Sequence, residues 1–431
     1  MNRSLVLIWL GAMLLIACDQ REKARPFTTY TIEQFYASTS VGGGAFSPDE
    51  KKLLISSDET GIFNLFEIDL ASGEKSQLTY STEESFRPLD YMPTGEILYV
   101  ADKGGDELNH IYLLQEDGSS RDLTPGEKEK AGFGSWNADK TGFYYVSTRR
   151  DSRFFDLYVM HIGDWSSEML YENKEGLDAG SLSEDEQWLT LSQSVTTSSN
   201  RLFLLNRQSG EKTEISDPEL DATWNATGFS KDGKTLFYTS NAHGEFTRLY
   251  GYNIESATHE VVYEANWDVM FSYFSEKGTY RVIGVNEDGK TNLILLDAQS
   301  GRQLDFPEIP DGDVLAVNIS DSEQYMRLTV GSSKAPSNIY LYNFETKKLS
   351  QLTNTLNPEI ASEHLVSAEV VRYKSFDSLE IPAIYYKPKQ ASAGNKMPAL
   401  VWVHGGPGGR PARAIFRLSS IWSTMAMPCW Q

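Results

Sequence analysis

The sequence predicts a mainly β protein, with a seven-bladed β-propeller over residues 41–362 followed by the incomplete beginning of an α/β domain over residues 363–416. Three observations support this prediction. A strand-rich unit recurs seven times at intervals of 45 to 47 residues, polar turns separate its apolar strands, and the pattern stops after Asn357-Pro358. An open β-solenoid is the alternative for a repeating β sequence, but four-stranded units of this length are typical of propeller blades.

The composition narrows the class of protein. The chain has 431 residues, with 39 lysines and arginines against 60 aspartates and glutamates, which gives a net charge of −21. Such a chain lacks the basic face that neutralises phosphates, so we expect no nucleic-acid partner. The two cysteines, Cys18 and Cys429, are too few for a disulfide framework or a cysteine-based zinc site. We expect neither a metal nor a cofactor.

The first 18 residues predict a lipoprotein signal peptide. Met1-Asn2-Arg3 carries a positive charge, and the apolar stretch 5–17 is too short to span a bilayer as a helix. The stretch ends in Leu15-Ile16-Ala17-Cys18, which resembles the lipobox of bacterial lipoproteins, in which the cysteine thiol receives the lipid. An ordinary secretory signal with a chance cysteine is the alternative. Residues 19–40 would form a tether and pre-propeller segment, and the protein would face the periplasm from the inner or the outer membrane of a bacterial envelope.

Each repeat begins with a polar turn that precedes an apolar strand. The first residues of the seven turns are Ser47, Met92, Asn137, Ser183, Ser230, Ser275 and Ser320. A triplet of a polar, an aliphatic and an apolar residue follows 17 to 19 residues later, beginning at Asn64, His110, Asp156, Arg201, Arg248, Asn292 and Asn338. A last turn precedes a short closing strand. Each repeat therefore predicts four strands, since two-residue alternation favours strand over helix.

Two features within the repeats have competing interpretations. The cluster Arg149-Arg150-Asp151-Ser152-Arg153 could bind a carboxylate, or it could be a solvated loop between two blade strands. His259-Glu260 begins like a helical zinc-protease motif, but Tyr263 stands where the second histidine is needed, and the segment has the pattern of a strand. We therefore expect no metal at His259.

A different chemistry begins after the repeats. The stretches 369–373 and 381–386 predict two strands around a turn, and the apolar strand 399–403 runs into His404-Gly405-Gly406. A buried strand that ends in His-Gly-Gly forms half of the oxyanion hole in α/β-hydrolases, because the glycines let backbone N–H groups approach a substrate oxygen. We expect His404, Gly405 and Gly406 to mark an oxyanion-hole region, which would stabilise the tetrahedral intermediate of acyl transfer. A glycine-rich turn without catalytic meaning is the alternative.

The propeller and this motif together resemble the prolyl oligopeptidase family of serine peptidases, with the acylaminoacyl-peptidase and dipeptidyl-peptidase branch the nearest. The resemblance rests on the stretches 373–383 and 398–409 and covers roughly residues 27–416. It implies an α/β-hydrolase domain after the propeller and hydrolysis of short peptides through an acyl-enzyme. It also implies that the propeller covers the active site and admits short or unfolded peptides. Ser378 departs from the family, which usually has glycine at this position.

The catalytic triad is missing from these 431 residues. A hydrolase of this fold carries its nucleophile on a Gly-x-Ser-x-Gly turn, followed by Asp and His in chain order, and the sequence contains no such turn. We therefore identify no catalytic residue and expect the isolated chain to be inactive. Residues 418–431 carry no charge. Residues 421–431 can be back-translated with codons whose neighbouring frame encodes the pattern of a helix end and a following strand. We interpret residues 417–431 as an out-of-frame tail, with a natural short ending as the alternative.

Two functions from different classes fit the sequence. In the first, the chain is the N-terminal portion of a membrane-anchored serine peptidase. In the second, it is a lipid-anchored periplasmic propeller that binds a protein or peptide without catalysis. The segment that begins at His404 favours the first, because a purely binding propeller has no use for an oxyanion-hole motif.

Overall fold

The computed structural model describes residues 28–310 and 312–402, together with the backbone of residues 429–430. Among these residues, the helical segments are limited to α1 (Ile32–Tyr36) and a 3-10 helix (Ser362–His364). Strands β1 to β27 form seven sheets, one for each predicted repeat. The prediction of a seven-bladed β-propeller is confirmed.

The strands follow chain order within each blade, and sequential strands pair antiparallel. Blades 1 to 4 contain β1–β4 (Val41–Phe46, Lys52–Ser57, Asn64–Asp69, Lys75–Gln77), β5–β8 (Arg87–Tyr91, Ile97–Ala101, His110–Leu114, Ser120–Asp122), β9–β12 (Ala131–Trp136, Gly142–Ser147, Asp156–His161, Ser167–Tyr171) and β13–β16 (Asp178–Leu182, Trp188–Ser194, Asn200–Asn206, Lys212–Glu214). Blades 5 to 7 contain β17–β20 (Trp224–Phe229, Thr235–Ser240, Arg248–Asn253, Thr258–Tyr263), β21–β23 (Asp268–Phe274, Tyr280–Glu287, Lys290–Asp297) and β24–β27 (Asp313–Ile319, Tyr325–Gly331, Asn338–Asn343, Lys348–Gln351).

Blade 6 departs from the prediction of four strands. Its third strand, β23, is followed by a single bridge between Leu296 and Gln303 rather than by a fourth strand. Pro307 and Pro310 lie a few residues further on. Because proline has no backbone N–H to donate, the pairing cannot continue through these two positions.

The turn at the start of a repeat is stabilised by hydrogen bonds from its own side chains. In blade 1, the Ser47 hydroxyl donates to Asp49 Oδ1 at 2.8 Å and accepts from the Lys52 amide at 3.0 Å. The turns that start at Ser183 and Ser230 repeat this arrangement. The fourth residue of all seven turns has a left-handed φ; these residues are Glu50, Gly95, Lys140, Glu186, Gly233, Gly278 and Glu323. Glycine adopts this conformation without strain, so the other residue types need compensation from elsewhere.

Three of these fourth residues, the turn glutamates, accept hydrogen bonds from the preceding blade: Glu50, Glu186 and Glu323. The carboxylate of Glu50 accepts from the Ser322 amide at 2.6 Å and from the Ser320 hydroxyl at 2.9 Å. This contact joins blade 1 to blade 7. The strained turn position is therefore used to link neighbouring blades.

The asparagine that starts the predicted triplet in blades 1 and 7 has a structural role. Asn64 is fully buried, and its Oδ1 accepts from the Thr79 hydroxyl at 3.0 Å and from the Ser81 amide at 2.8 Å. Both donors lie in the segment that leaves blade 1, and Asn338 makes the equivalent contacts in blade 7. In these two blades, a buried side-chain amide thus fixes the path of the chain to the next element.

Clusters of buried apolar side chains lie at all seven interfaces between adjacent blades. The interface between blades 7 and 1, which we call the seam, brings Ile339 against Leu53 and Ile55. No strand is shared across the seam, because β1–β4 and β24–β27 each form a separate sheet. The ring is therefore closed by side-chain packing and by contacts such as that of Glu50, without a ladder of paired strands across the seam.

The first strand of each blade, the inner strand, carries a β-bulge in every blade. In blade 1, for example, the register with β2 shifts between Gly43 and Ala45. A bulge inserts one extra residue and changes the direction in which the following side chains point. The pairing of β2 with β3 remains regular.

The chain segments on either side of the propeller pack together. Tyr30 and Phe35, at α1, form a small core with Ile360 and Leu365, and the Tyr30 hydroxyl lies 2.6 Å from Nδ1 of His364. Both ends of the propeller chain therefore lie on one face. No helix within the described part of the chain has the length and apolar character needed to cross a bilayer.

An eighth sheet follows the propeller. It contains β28 (Ala368–Lys374), β29 (Glu380–Tyr386), β30 (Leu400–Val401) and β31 (Cys429–Trp430), in the order β28-β29-β31-β30. The strand pair predicted over 369–373 and 381–386 is confirmed. Ser378, in the turn between these strands, has a φ of 74°, which explains why glycine is favoured at that position.

Candidate functional site

The residues selected from the sequence lie outside the part of the chain that the structure describes. This applies to Cys18 and to His404, Gly405 and Gly406. Strand β30 is described and leads toward the second group. The lipidation site and the oxyanion-hole region therefore remain predictions.

The described residues instead form a cavity on the axis of the propeller. Its volume is about 830 Å³, and all seven blades contribute to its wall. One lining residue from each blade, in order, is Gly44, Asp90, Trp136, Leu182, Thr227, Tyr273 and Arg327. A volume of this size is typical of pockets that hold small ligands.

The cavity lies toward one end of the propeller. It is lined by the turns that follow the inner strands, such as Ser47 and Ser320, and we call this end the turn face. The inner strands begin at the opposite end of the propeller. We call this end the entry face because the chain enters and leaves the propeller there: the amide of Thr39 donates to the Thr355 carbonyl at 2.9 Å. The segments before and after the propeller thus lie at the entry face, away from the mouth of the cavity.

An ion pair crosses the mouth of the cavity at the turn face. The ammonium group of Lys140, in blade 3, donates to the carboxylate of Asp321, in blade 7. These blades lie on opposite sides of the ring, so the pair spans the opening rather than joining neighbours. Burial alone would lower the pKa of Lys140, but the hydrogen bond and charge of Asp321 raise it overall. The lysine is therefore held in its charged form.

The wall of the cavity contains a carboxyl group that is partly removed from water. Oδ2 of Asp90 accepts a hydrogen bond from Nε1 of Trp136 at 2.9 Å. Burial raises the pKa of Asp90 above its usual value, although the bond from Trp136 opposes this effect. The charged form of this aspartate is consequently less favoured than at the surface.

Deeper in the cavity wall lies a buried arginine. Arg327 is on β25, and its side chain comes so close to blade 1 that a Cβ added to Gly44 would lie 2.5 Å from the arginine Nε. Burial lowers the pKa of Arg327 to about 10. Burial likewise raises the pKa of the neighbouring Tyr273. The interior of the cavity therefore combines a guanidinium with a neutral phenol.

The arginine cluster noted in the sequence forms internal contacts. Nε and Nη2 of Arg150 donate to the fully buried Asp156 at 2.7 and 2.8 Å. Arg153 pairs with Asp151, and Arg149 lies over the ring of Tyr158. The segment connects β10 and β11, as the loop interpretation predicts. Two of its three cations are paired with carboxylates of the same blade, which disfavours a role in binding an external carboxylate.

His259 lies on a strand, as expected, within β20. Its Nδ1 is 2.8 Å from the hydroxyl of Tyr238, and burial lowers the pKa of His259. Over the described residues, no group of three or more histidine, cysteine, aspartate or glutamate side chains is arranged to hold a metal.

Sequence reasoning missed the residues of the cavity, although one signal was present. In the apolar strand beginning Tyr325-Met326-Arg327-Leu328, a charged residue stands at a central position. Charged residues are rarely buried without a partner. An isolated arginine in a core strand could therefore have been selected as a candidate.

The propeller is similar in sequence to a known family and to a curated protein. Residues 79–355 match the family model described as prolyl oligopeptidase, N-terminal beta-propeller domain. The chain is 24% identical over 382 residues to dipeptidyl aminopeptidase BIII of Pseudoxanthomonas mexicana, which covers 84% of this chain and 55% of that protein. The chain thus spans about half the length of this curated relative.

Two solved structures show the same fold. A chain from a structural and mechanistic study of two prolyl endopeptidases has a TM-score of 0.74 at 14% identity, covering 99% of this chain and 66% of that one. A puromycin-hydrolyzing peptidase of Mycobacterium tuberculosis has a TM-score of 0.74 at 13% identity, covering 94% and 69%. The family model extends over well over half of the residues, and the architecture agrees with it. The chain belongs to the prolyl oligopeptidase family and contains the N-terminal β-propeller of that family.

Proposed function

We propose that the chain is the N-terminal portion of a membrane-anchored serine peptidase that hydrolyses short peptides through an acyl-enzyme. In this proposal the propeller covers the active site and admits peptides along its axis. The axial cavity is the observation that carries the proposal, because its volume of about 830 Å³ suits a short peptide and is too small for a folded protein.

The position of the eighth sheet supports a path along the axis. The amide of Ala368, at the start of β28, donates to the Ser333 hydroxyl at 3.0 Å, and Arg372 pairs with Asp288 at 2.5 Å. Ser333 and Asp288 lie in connections between second and third strands, at the entry face. A peptide that enters through the turn face would thus travel toward the strands that precede His404.

Gly405 and Gly406 would supply backbone N–H donors near the oxyanion in this peptidase. Such donors stabilise the negative charge of the tetrahedral intermediate, typically by a few kcal/mol. The nucleophile, the general base and its carboxylate partner have no counterpart among these 431 residues, which lack a Gly-x-Ser-x-Gly turn. We therefore expect the isolated chain to bind short peptides without hydrolysing them.

Calorimetric titration of the purified chain with short peptides and with a small folded protein tests this proposal. We expect peptide binding and no binding of the folded protein. Ser135 lines the cavity, so Ser135→Trp should fill it and weaken peptide binding by about tenfold or more. Ser119→Trp, in the exposed β7–β8 turn, is the matched control and should leave binding unchanged.

Binding of the folded protein alone would favour the alternative of a propeller that docks a protein partner without catalysis. Equal peptide binding by the Ser135→Trp variant would exclude the axial path. Turnover of chromogenic peptides by the chain, blocked by a serine-directed phosphonate, would refute the expected inactivity.

We also propose that a lipid on Cys18 anchors the protein to the bacterial envelope, facing the periplasm. The apolar stretch 5–17 followed by cysteine supports this proposal. Wild-type protein and the control Cys429→Ser should incorporate labelled fatty acid and partition into detergent, whereas Cys18→Ser should do neither. Labelling of the Cys18→Ser variant, or its absence from the wild type, would refute the anchor.

A further inference from the structure

The guanidinium of Arg327 is only partly satisfied by the protein. The side chain is 9% exposed, and its strand neighbours Met326 and Leu328 are fully buried. Nη1 donates to the Thr329 hydroxyl at 2.9 Å. Nε is buried without a hydrogen-bond partner among the described residues. Part of the donor capacity of this cation is therefore unused.

Arg327 also lacks a counter-charge. Within the described ranges it forms no ion pair with a carboxylate, and the neighbouring ionisable group that acts on it is the phenol of Tyr273. By contrast, Arg150, Arg201 and Arg207 each pair with an acidic side chain. Burying an unpaired cation is costly, so its presence in a well-packed blade suggests that a ligand supplies the missing charge.

A second buried arginine, Arg281, shows how the protein can stabilise a buried guanidinium through its own side chains. Arg281 is 7% exposed, and its guanidinium lies over the rings of Phe237 and Phe274 at 4.1 and 4.7 Å from their centroids. Its Nε donates to the Ser272 hydroxyl at 3.0 Å. Arg281 is not among the residues that line the cavity, whereas Arg327 is. Aromatic faces and a hydroxyl thus replace the missing carboxylate at Arg281.

Two further unused donors line the same cavity as Arg327. The hydroxyls of Tyr273 and Thr227 are buried, have no hydrogen-bond partner among the described residues and belong to side chains that line the same cavity. Gly44, which has a φ of +128°, lets the arginine side chain pack against blade 1, because any Cβ there would lie within 2.9 Å of the guanidinium carbon. Three unpartnered donors line one cavity.

We propose that Arg327, with the neighbouring Tyr273, forms a carboxylate-binding site inside the axial cavity. A planar guanidinium with free N–H groups matches a carboxylate, which accepts two hydrogen bonds at once. The inference rests on the proposed function for the nature of the ligand, a short peptide. The carboxylate is either the C-terminal group of the peptide or an acidic side chain.

Titration calorimetry with three N-acetylated peptides of otherwise equal sequence distinguishes these sources. One peptide has a free C-terminus, one has an amidated C-terminus, and one has an amidated C-terminus and a glutamate side chain. We expect a carboxylate-bearing peptide to bind about tenfold or more tightly than the amidated neutral peptide. The peptide with the higher affinity shows whether the bound carboxylate is the C-terminal group or the glutamate side chain.

The variants Arg327→Met and Arg281→Met separate binding from structure. Arg327→Met should abolish the gain from the carboxylate while leaving the urea midpoint of unfolding unchanged or higher, because it removes an unpaired buried cation. Arg281→Met is the matched control and should keep the gain, because Arg281 lies outside the cavity lining. A merely structural Arg327 would instead lower the midpoint without changing the preference for a carboxylate.

The outcomes distinguish this inference from the proposed function. Equal binding of all three peptides would overturn the carboxylate site and leave the peptide path intact. If no peptide binds, the proposed function is refuted. The carboxylate site is then tested separately, with acetate as the ligand. A rise in the thermal midpoint with acetate in the wild type, absent in Arg327→Met, would support the site, and no such rise would overturn it.

Discussion

The turn glutamate of blade 7 offers a quantitative test of how neighbouring blades are joined. Glu323 has a φ of 62° and is 9% exposed. One of its carboxylate oxygens accepts from the Ser275 hydroxyl at 2.5 Å, the Lys277 amide at 3.0 Å and the Thr279 amide at 3.3 Å, all in blade 6. Glu323→Gly removes these contacts and relieves the left-handed backbone strain in a single substitution.

The two effects oppose each other. Hydrogen bonds to a charged group contribute about 1.5–3 kcal/mol each. Since all three share one oxygen of Glu323 and the third is long, we count a total of about 3 kcal/mol. Glycine at a left-handed position recovers about 1 kcal/mol. We therefore expect Glu323→Gly to reduce the free energy of unfolding by ~2 kcal/mol.

Urea unfolding followed by tryptophan fluorescence measures this loss. Glu107→Gly is the matched control: Glu107 also has a positive φ, of 60°, but it is exposed and its carboxylate accepts no hydrogen bond among the described residues. This control should be as stable as the wild type or slightly more stable. If Glu323→Gly were equally stable, the inter-blade role of the turn glutamates would be refuted.

The same contact has a pH dependence of known sign. Burial alone would raise the pKa of Glu323, but the hydrogen bonds from Ser275, Thr279 and Lys277 together lower it. A carboxyl whose pKa is lower in the folded state stabilises the fold above the unfolded pKa and loses this contribution as the pH falls through the folded value. The difference between wild type and Glu323→Gly should therefore shrink in acid.

Three further predictions concern single side chains. Asp156→Ala removes the acceptor of Arg150 and leaves the buried amide of Asn173 without its partner, and should lower the free energy of unfolding by about 2 kcal/mol in urea. An unchanged free energy of unfolding would contradict the structural role of Asp156. Asp90→Asn should raise the urea midpoint at neutral pH, because the raised pKa of Asp90 means that its charged form is disfavoured in the fold. This gain in urea midpoint should vanish when the pH falls below the usual pKa range of a carboxyl group. A gain that persists at such a pH would show that the charge of Asp90 is not its cause. Lys140→Met removes the ion pair across the cavity mouth and should speed peptide association several-fold in stopped-flow fluorescence, as should high salt on the wild type; unchanged rates would show that the pair does not restrict entry.

The blade count could be predicted from the sequence because its determinants are local. The bonds between Ser47, Asp49 and Lys52 lie within one turn, and Asn64 caps a segment of its own blade. Such contacts must be encoded again in every blade, so they leave a repeating pattern. The missing fourth strand of blade 6 is where this pattern fails, close to Pro307.

The cavity could not be predicted in the same way, because it depends on closure of the ring. Lys140 and Asp321 are 181 residues apart and meet only when blades 3 and 7 face each other. Arg327 is visible in the sequence as a charge within an apolar strand, but only the assembled structure shows that no carboxylate among the described residues pairs with it. Local patterns predict the blades, whereas the chemistry of the axis arises from long-range contacts.

Because of the bulges in the inner strands, the side chains that line the axial cavity can vary without a change in the pairing of the other strands. The extra residue of each bulge belongs to the inner strand alone. The pairing between the second and third strands therefore keeps its register, whichever side chain faces the axis. Six positions two residues before a repeat start line the cavity in this way: Ala45, Asp90, Ser135, Gly228, Tyr273 and Asn318. Their present mixture of small, acidic and aromatic side chains shows how widely they can differ. The side chains that line the cavity could therefore be changed one at a time while the second and third strands keep their pairing, except at Gly228, where a φ of +124° favours glycine.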